Sequence, residues 1–459
     1  MRPHAVRPLA VAAMLAATLP LVVVLSASTP AGAGSRSEGN FTMVSANKAG
    51  TDSAPGNGTF GAEQASISAD GKVVAFVSKT PAELLVNDPL QLAAGTVTDT
   101  NGVEDVFVWD SRVPAPVGPV VTLVSWNKTH TGAAGGNVNP RSDHPVISPQ
   151  GVGVVFESRA KDLTTEAVTA DENLYAWVPA VSDVFPVFLI NKTYNTGDGS
   201  NSVNNDPSIS VNPATLSAKV AFTSSATDLV DPNAHQAKGT SQVYVRNLVT
   251  QSTSMVSVAT DGDGTVSGAS APMISADGLD VVFASGGADL VAGVDETGGD
   301  IFERNLLTDT TKLISKANAS SQGTTGNDNP VVSADGSAVA WEGNDPALSP
   351  TPHNGNAHIF YRLSAAPPVM VDTAYLGLLG CDNNSNNAGL SLDGTSVVFE
   401  SNCTNMTPPS ITETSGTDVY VRRMLTDPQP KLVSVDDAGD APGNGSSFIC
   451  PGVDPPCRF

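Results

Sequence analysis

The chain has 459 residues, of which 40% are hydrophobic and only 15% charged, a composition that indicates a compact protein and excludes a disordered one. Its 46 acidic and 23 basic residues give a formal net charge of −23, and a surface this acidic repels phosphate backbones, which excludes nucleic acid as a partner. The 42 glycines and 33 prolines supply many turns and favour short strands over helices.

The N-terminus has the pattern of a secretory signal. Two arginines precede the apolar stretch Leu9–Leu25, and Ala31–Ala33 offers small residues for cleavage. A spanning helix needs about 20 apolar residues, and Pro20 interrupts this shorter stretch. We therefore predict a cleaved signal peptide at 1–33, a short linker at 34–40, and no membrane span after cleavage. The protein is expected to be secreted, periplasmic or at the cell surface.

A six-fold internal repeat dominates the remaining sequence. Each copy has an apolar residue, a serine, a turn and then an apolar run. The anchor serines are Ser68, Ser148, Ser210, Ser275, Ser333 and Ser391. Three copies read Ser-Ala-Asp-Gly, while the third copy replaces this tight turn with a longer one, predicted at Val211–Ala218. Unequal spacing of the serines locates an insertion in the first copy, a loop at about 80–102.

Each repeat contains two more segments with strand patterning. The third strands alternate aromatic and aliphatic residues and are predicted at Asp105–Asp110, Asn173–Val178, Gln242–Asn247, Asp300–Asn305, His358–Leu363 and Asp418–Arg423. The fourth strands are short and include Val121–Ser125, Met255–Val258, Lys312–Ser315 and Lys431–Val435. Because the second strands are apolar on both faces, they suit sheets packed between neighbours. We predict an all-β, six-bladed β-propeller of four-stranded antiparallel blades at 41–435.

These repeats resemble those of the TolB-like, or WD-repeat-like, bacterial propellers. The similarity rests on Asp70–Gly71, Asp277–Gly278, Asp335–Gly336 and Asp393–Gly394, each followed by an aliphatic strand. The resemblance implies a six-bladed propeller. It does not imply a particular partner, because one fold can host many functions.

The ends of the repeat array bear on how the ring closes. Phe41–Ser45 reads as an extra fourth strand, and we predict that it joins the last blade and closes the ring. The residues after the array, 436–459, are predicted to form a C-terminal tail.

Four cysteines lie near the C-terminus, and export makes disulfides the favoured state. Three pairings are possible, and the local one joins Cys381 to Cys403 and Cys450 to Cys457. A zinc site is the alternative, which the lack of a Cys-x-x-Cys pair disfavours.

Local motifs identify no catalytic residue. The chain has no Gly-x-Ser-x-Gly or His-Glu-x-x-His sequence. The histidines outside the signal are His130, His144, His235, His353 and His358. They are scattered over several blades, and we expect surface or loop roles for them. Acidic residues are plentiful, but no pair is singled out for glycoside hydrolysis.

Calcium is the one small ligand that the sequence suggests, because this ion prefers six to eight oxygen ligands. The candidate segments are Asp99–Asp105, Asp261–Gly264 and the group of Asp295, Glu296 and Asp300. None has EF-hand spacing. The alternative for Asp105, Asp300 and Asp418 is that they cap the third strands. We assign no resident cofactor, and the metal ligands stay unknown.

The sequence thus favours an exported, monomeric, non-catalytic propeller that binds a protein, a peptide or a surface polymer. One alternative is a hydrolase or lyase whose residues come from several blades and meet at the channel mouth. A second alternative is a structural module of the cell surface that calcium stabilises.

Overall fold

A computed structural model describes residues 63–79, 101–113, 118–129, 133, 135, 140–179, 181, 186–202, 204–215, 217–238, 241–293, 298–316, 326–409, 411, 416–435 and 446–447. These residues form six four-stranded antiparallel sheets. The described part of the chain contains no helix that is long and apolar enough to cross a bilayer. The signal peptide, the Phe41–Ser45 strand, His130 and the Cys450–Cys457 pair lie outside the described residues and stay predictions.

The strands follow one another in chain order, four to a sheet. The first three blades are β1 Glu63–Ile67, β2 Val73–Ser78, β3 Asp105–Asp110 and β4 Val120–Leu123; β5 Ser142–Ile147, β6 Val154–Ser158, β7 Asn173–Trp177 and β8 Val187–Leu189; β9 Asn204–Asn212, β10 Ser217–Ser224, β11 Gln242–Asn247 and β12 Ser252–Met255. The last three are β13 Ala269–Ile274, β14 Asp280–Ser285, β15 Asp300–Asn305 and β16 Thr310–Leu313; β17 Asp328–Val332, β18 Ala338–Gly343, β19 His358–Leu363 and β20 Val369–Met370; β21 Ser385–Leu390, β22 Ser396–Ser401, β23 Asp418–Arg423 and β24 Lys431–Leu432. The prediction of six four-stranded blades is confirmed.

Two local predictions were wrong. The third blade has no long turn at Val211–Ala218, because β9 and β10 extend into this segment and Val211 pairs with Ala218. Both side chains are buried, which favours strand over loop. The fourth strands also end earlier than predicted. In the third blade, Ser257 leaves the ladder because its hydroxyl accepts a hydrogen bond from the Val243 amide (3.0 Å).

The core lies between consecutive blades. Each second strand contributes a large aromatic ring that stacks on an aromatic ring of the third strand. The pairs are Phe76–Phe107, Phe156–Tyr175, Phe222–Tyr244, Phe283–Phe302, Trp341–Phe360 and Phe399–Tyr420. The ring of Phe222, for example, packs among residues of the second and third blades. Sheets with both faces buried explain why the second strands are apolar on both faces over most of their length.

The serine repeat forms the turn between the first two strands. In the first blade, the Ser68 hydroxyl donates to Asp70 Oδ1 (2.7 Å) and accepts from the Val73 amide (3.0 Å). Gly71 has a φ of 68°, a left-handed conformation that glycine adopts without strain. The Ala69 amide then donates to the carbonyl of Pro149 in the next turn (3.0 Å). The motif therefore closes a hairpin and joins neighbouring blades.

Antiparallel order places the connections of every blade on two opposite faces. Turns between first and second strands, and between third and fourth strands, lie on what we call the turn face. Connections from second to third strands, and from each fourth strand to the next blade, lie on the loop face. The first strands of consecutive blades contact one another, as expected for strands around a central channel. On the turn face, Gln150 Nε2 of the second blade donates to the Ala276 carbonyl of the fourth blade (3.2 Å).

A disulfide joins Cys381 to Cys403. Cys381 precedes β21 and Cys403 follows β22, so the bond ties the two ends of one hairpin together on the loop face. The local pairing predicted for Cys381 and Cys403 is confirmed.

Candidate binding site at the loop-face channel mouth

All six first strands begin with the same unusual backbone conformation. One non-glycine residue in each has a φ of 49–52°, in the left-handed region, and the register shifts there. These residues are Gln64, His144, Asp206, Ala271, Asn329 and Asn387. Strain of this kind is common where a bulge re-aims a side chain at a functional site. The bulges lie at the loop-face end of the channel.

Three second strands place a carboxylate beside these bulges. Glu157, Glu342 and Glu400 occupy the same strand position, directly after the stacked aromatic residue. Asn387 of the sixth blade binds two of these carboxylates. Its side-chain Nδ2 donates to Glu400 Oε2 in the same blade (2.9 Å), and its backbone amide donates to Glu342 Oε1 in the fifth blade (2.8 Å). We use the name acidic mouth for the carboxylates at this end of the second, fifth and sixth blades, which are Asp143, Glu157, Asp328, Glu342 and Glu400.

In the second blade, a histidine neutralises part of this charge. His144 Nδ1 lies 3.3 Å from Asp143 Oδ1 and 3.3 Å from Glu157 Oε2. Hydrogen bonds to Asp143 and Glu157 raise the pKa of His144 to about 10, so its imidazolium is charged at neutral pH. Burial raises the pKa of Glu157. Asp143 also pairs with Arg141 (3.2 Å), so this part of the mouth is internally balanced.

The charged groups that act most strongly on Glu342 in the fifth blade are two carboxylates, Asp328 of the same blade and Glu400 of the sixth blade. The pKa of Glu342 is raised to about 7, chiefly by burial; hydrogen bonds from Asn387 and Asn329 oppose the rise, and the charges of Asp328 and Glu400 add to it. Asp328 is exposed at the start of β17. A cation that approached this side of the mouth would relieve the repulsion among the carboxylates.

The residues considered for calcium have local partners. Ser125, Ser315 and Ser434 donate to Asp105, Asp300 and Asp418, as expected for caps of the third strands. In the acidic turn, Lys238 Nζ lies 2.7 Å from Asp261 Oδ2 and 3.0 Å from Asp263 Oδ2. A lysine ammonium therefore occupies the place between the two carboxylates. Asp99, Asp295 and Glu296 lie outside the described residues.

The described histidines do not converge on one site. His144 is at the mouth, while His235 Nδ1 contacts the Gly262 carbonyl (2.5 Å) in a loop. His353 and His358 lie in the fifth blade with ring centroids 4.8 Å apart. His358 is buried and its Nδ1 lies 2.8 Å from Asp372 Oδ2. This pair takes the place of the acid–serine cap of other blades, which indicates a structural role.

A second concavity lies between the fourth and fifth blades on the turn face. It has a volume of about 530 Å³, and its polar wall includes Asp280, Glu303, Lys312 and Arg362. Lys312 pairs with Glu303 (2.7 Å), and Arg362 Nη1 donates to the Ile314 carbonyl (2.6 Å). This wall carries charges of both signs, whereas Glu342 is surrounded by further carboxylates, which makes the acidic mouth the stronger candidate site for a cation.

The sequence analysis missed the acidic mouth. Its signal was present: aligning the repeats puts Glu157, Glu342 and Glu400 at one position within an otherwise apolar strand. Glutamate is rarely buried without a reason. The bulges carried no such signal, because the six residues at positive φ differ in type.

Comparisons with known proteins were made at the level of sequence and of structure. No protein-family model matches the chain, and no curated protein matches it. Solved structures similar to it include TolB from Acinetobacter baumannii, at 14% identity and a TM-score of 0.36, with 77% of this chain and 61% of TolB covered. The chain thus spans less than two thirds of that TolB.

Two further solved structures are similar in the same way. One is the β-propeller domain of the Trilobed protease from Pyrococcus furiosus, at 9% identity and a TM-score of 0.42, with 82% of this chain and 84% of that chain covered. The other is an oligogalacturonate lyase in complex with manganese, at 12% identity and a TM-score of 0.41, with 81% and 76% covered. By its six four-stranded antiparallel sheets the chain is a six-bladed β-propeller.

Proposed function

We propose that the protein is an exported, non-catalytic binding propeller that holds a basic segment of a protein or peptide at the acidic mouth. The observation that carries the proposal is the meeting of carboxylates from separate blades, with Glu342 at a pKa of about 7. A ligand ammonium or guanidinium would make charge-assisted hydrogen bonds with them. The many long connections on the loop face give such a ligand further contact area.

A labelled peptide of alternating lysine and serine tests this proposal by fluorescence polarisation. We expect binding that weakens as salt is raised, because the contacts are ionic. The double variant Asp328→Asn/Glu342→Gln should bind several-fold more weakly. Asp309→Asn is the matched control, since Asp309 is an exposed acid on the turn face. Equal loss in the control would mean that only the net charge of the protein attracts the peptide.

One observation favours a second candidate, a propeller hydrolase or lyase that acts at the same mouth. A carboxyl group with a pKa of about 7, as in Glu342, is suited to general acid–base catalysis near neutral pH. Oligosaccharide and peptide substrates offered to the purified protein distinguish the candidates. Turnover that Glu342→Gln abolishes would replace the binding proposal with the catalytic one.

A further inference from the structure

The sixth blade has one sheet face that is less covered than the same face of the other blades. In the first five blades, the residue three positions before the end of the second strand is fully buried against the following blade. These residues are Ala75, Val155, Ala221, Val282 and Ala340. The equivalent residue of the sixth blade, Val398, is partly exposed.

Two further valines of the sixth blade share this difference. Val421 pairs with Val398 across the sheet, and Val433 follows the fourth strand, where its amide donates to the Val419 carbonyl (2.8 Å). Both are partly exposed, although the residues at the same two positions of the other five blades are buried. We call Val398, Val421 and Val433 the open face.

The first blade does not pack on the open face. In four later blades, the turn glycine packs on the preceding blade, since a Cβ on Gly151 would stand 2.9 Å from Ser68 and one on Gly278 would stand 3.2 Å from Ser210. At Gly71, the same position of the first blade, a Cβ would meet no described residue within 4 Å. The described strands of the sixth and first blades also lack the contacts that join the other consecutive blades. Among the described residues, the array therefore has a gap between its last and first blades.

The C-terminal segment begins at this gap. In four blades, the chain enters the first strand with an amide that donates to the carbonyl just before the third strand of the preceding blade, as Ser385 does to Ala357 (2.9 Å). Ser447 makes the same bond to Thr417, the residue before the third strand of the sixth blade (2.7 Å). Ser447 thus lies where the first strand of a following blade would begin.

The sequence around Ser447 agrees with this position. The five residues Ala-Pro-Gly-Asn-Gly occur at 441–445, just before Ser446, and again at 54–58, shortly before β1. Phe448 and Ile449 follow Ser447. Successive residues of a strand point to opposite faces, so an extended chain would turn one of these two apolar side chains toward the sixth blade.

We infer that the C-terminal segment 447–459 covers the open face, as an inner strand placed after the sixth blade. Residues 448–459 lie outside the described part of the chain, and the inference concerns them. A tethered segment has a high effective concentration at a neighbouring surface, which favours it over a second copy of the chain. The inference is independent of the proposed binding at the acidic mouth.

Thiol accessibility in the full-length protein tests the inference. Val398→Cys places a thiol on the open face, and mass spectrometry of the peptide that contains it measures its alkylation by a maleimide. Adding Phe448→Ser/Ile449→Ser should accelerate this alkylation at least about tenfold, because the apolar cover is lost. Val155→Cys, at the same position of the second blade, is the matched control and should stay slow with either segment.

A second variant and two further outcomes make the test decisive. Ser447→Pro removes the amide that donates to Thr417 and should also accelerate the alkylation at Val398→Cys. Unchanged alkylation in both segment variants overturns the inference. Acceleration by Phe41→Ser/Met43→Ser instead would assign the cover to the N-terminal strand, and alkylation that slows with protein concentration would assign it to a second copy. Equal acceleration at Val155→Cys also overturns the inference, because the segment would then support the whole fold and not one face.

Discussion

Removal of the Cys381–Cys403 disulfide should destabilise the last blade. The bond closes a loop with a sequence separation of 22, and the chain-entropy relation gives about 3 kcal/mol for a loop of this length at 25 °C. The outer strand of this blade, Lys431–Leu432, has only two residues. Both sulfurs are buried, so the double variant Cys381→Ala/Cys403→Ala also loses packing.

The chain-entropy contribution of the disulfide to stability is measured by urea unfolding of the same protein with the bond oxidised and with it reduced. A Cys450→Ser/Cys457→Ser background leaves Cys381–Cys403 as the one bond that a reductant can break. The oxidised form should exceed the reduced form by about 3 kcal/mol in free energy of unfolding. The alanine double variant should be less stable than the reduced form, because it lacks both sulfurs. A difference below about 1 kcal/mol between the redox states would refute the reasoning.

Three further outcomes are expected. The stabilisation that His144 provides is complete below its unfolded pKa of 6.5 and is lost as the pH rises toward its folded pKa of about 10. The difference in melting temperature between the wild type and His144→Gln should therefore shrink across that pH range. A constant difference would contradict the charged state assigned to His144. Ser333→Ala leaves a buried amide without its hydroxyl partner and should cost about 1–3 kcal/mol in urea unfolding, whereas an exposed serine would cost little. Because Lys238 pairs with both Asp261 and Asp263, a chelator should leave the melting temperature of the wild-type protein unchanged. In Lys238→Gln, where this ammonium is missing, added calcium should stabilise the turn. A chelator-induced fall in the wild type would favour the calcium-stabilised module instead.

Most of the fold was predictable because six copies of one pattern can be aligned with each other within the chain. Ser275, Asp277 and Gly278 each have a local reason to occur in the turn, and the same reason recurs in other blades. The errors arose where pairing overrode local pattern. Val211 and Ala218 are in strands because they pair with each other, and Ser257 leaves its strand because it satisfies the Val243 amide.

The candidate site was much less predictable than the fold. Asp328 and Glu342 face each other across one hairpin of the fifth blade, whereas Glu400 is brought beside Glu342 by the packing of the sixth blade against the fifth. The elevated pKa of Glu342 depends on the same packing, since burial produces most of it and the charges of Asp328 and Glu400 add to it. No local motif contains this information.

The sequence by itself determined the all-β class, the number of blades and the turn chemistry of the repeats, because each depends on residues close in sequence or repeated at one position. Only the tertiary structure decided which of the three possible cysteine pairings joins Cys381 to Cys403, and which carboxylates meet at the acidic mouth. Both depend on which side chains the packed strands and neighbouring blades bring together, and no local pattern contains that information.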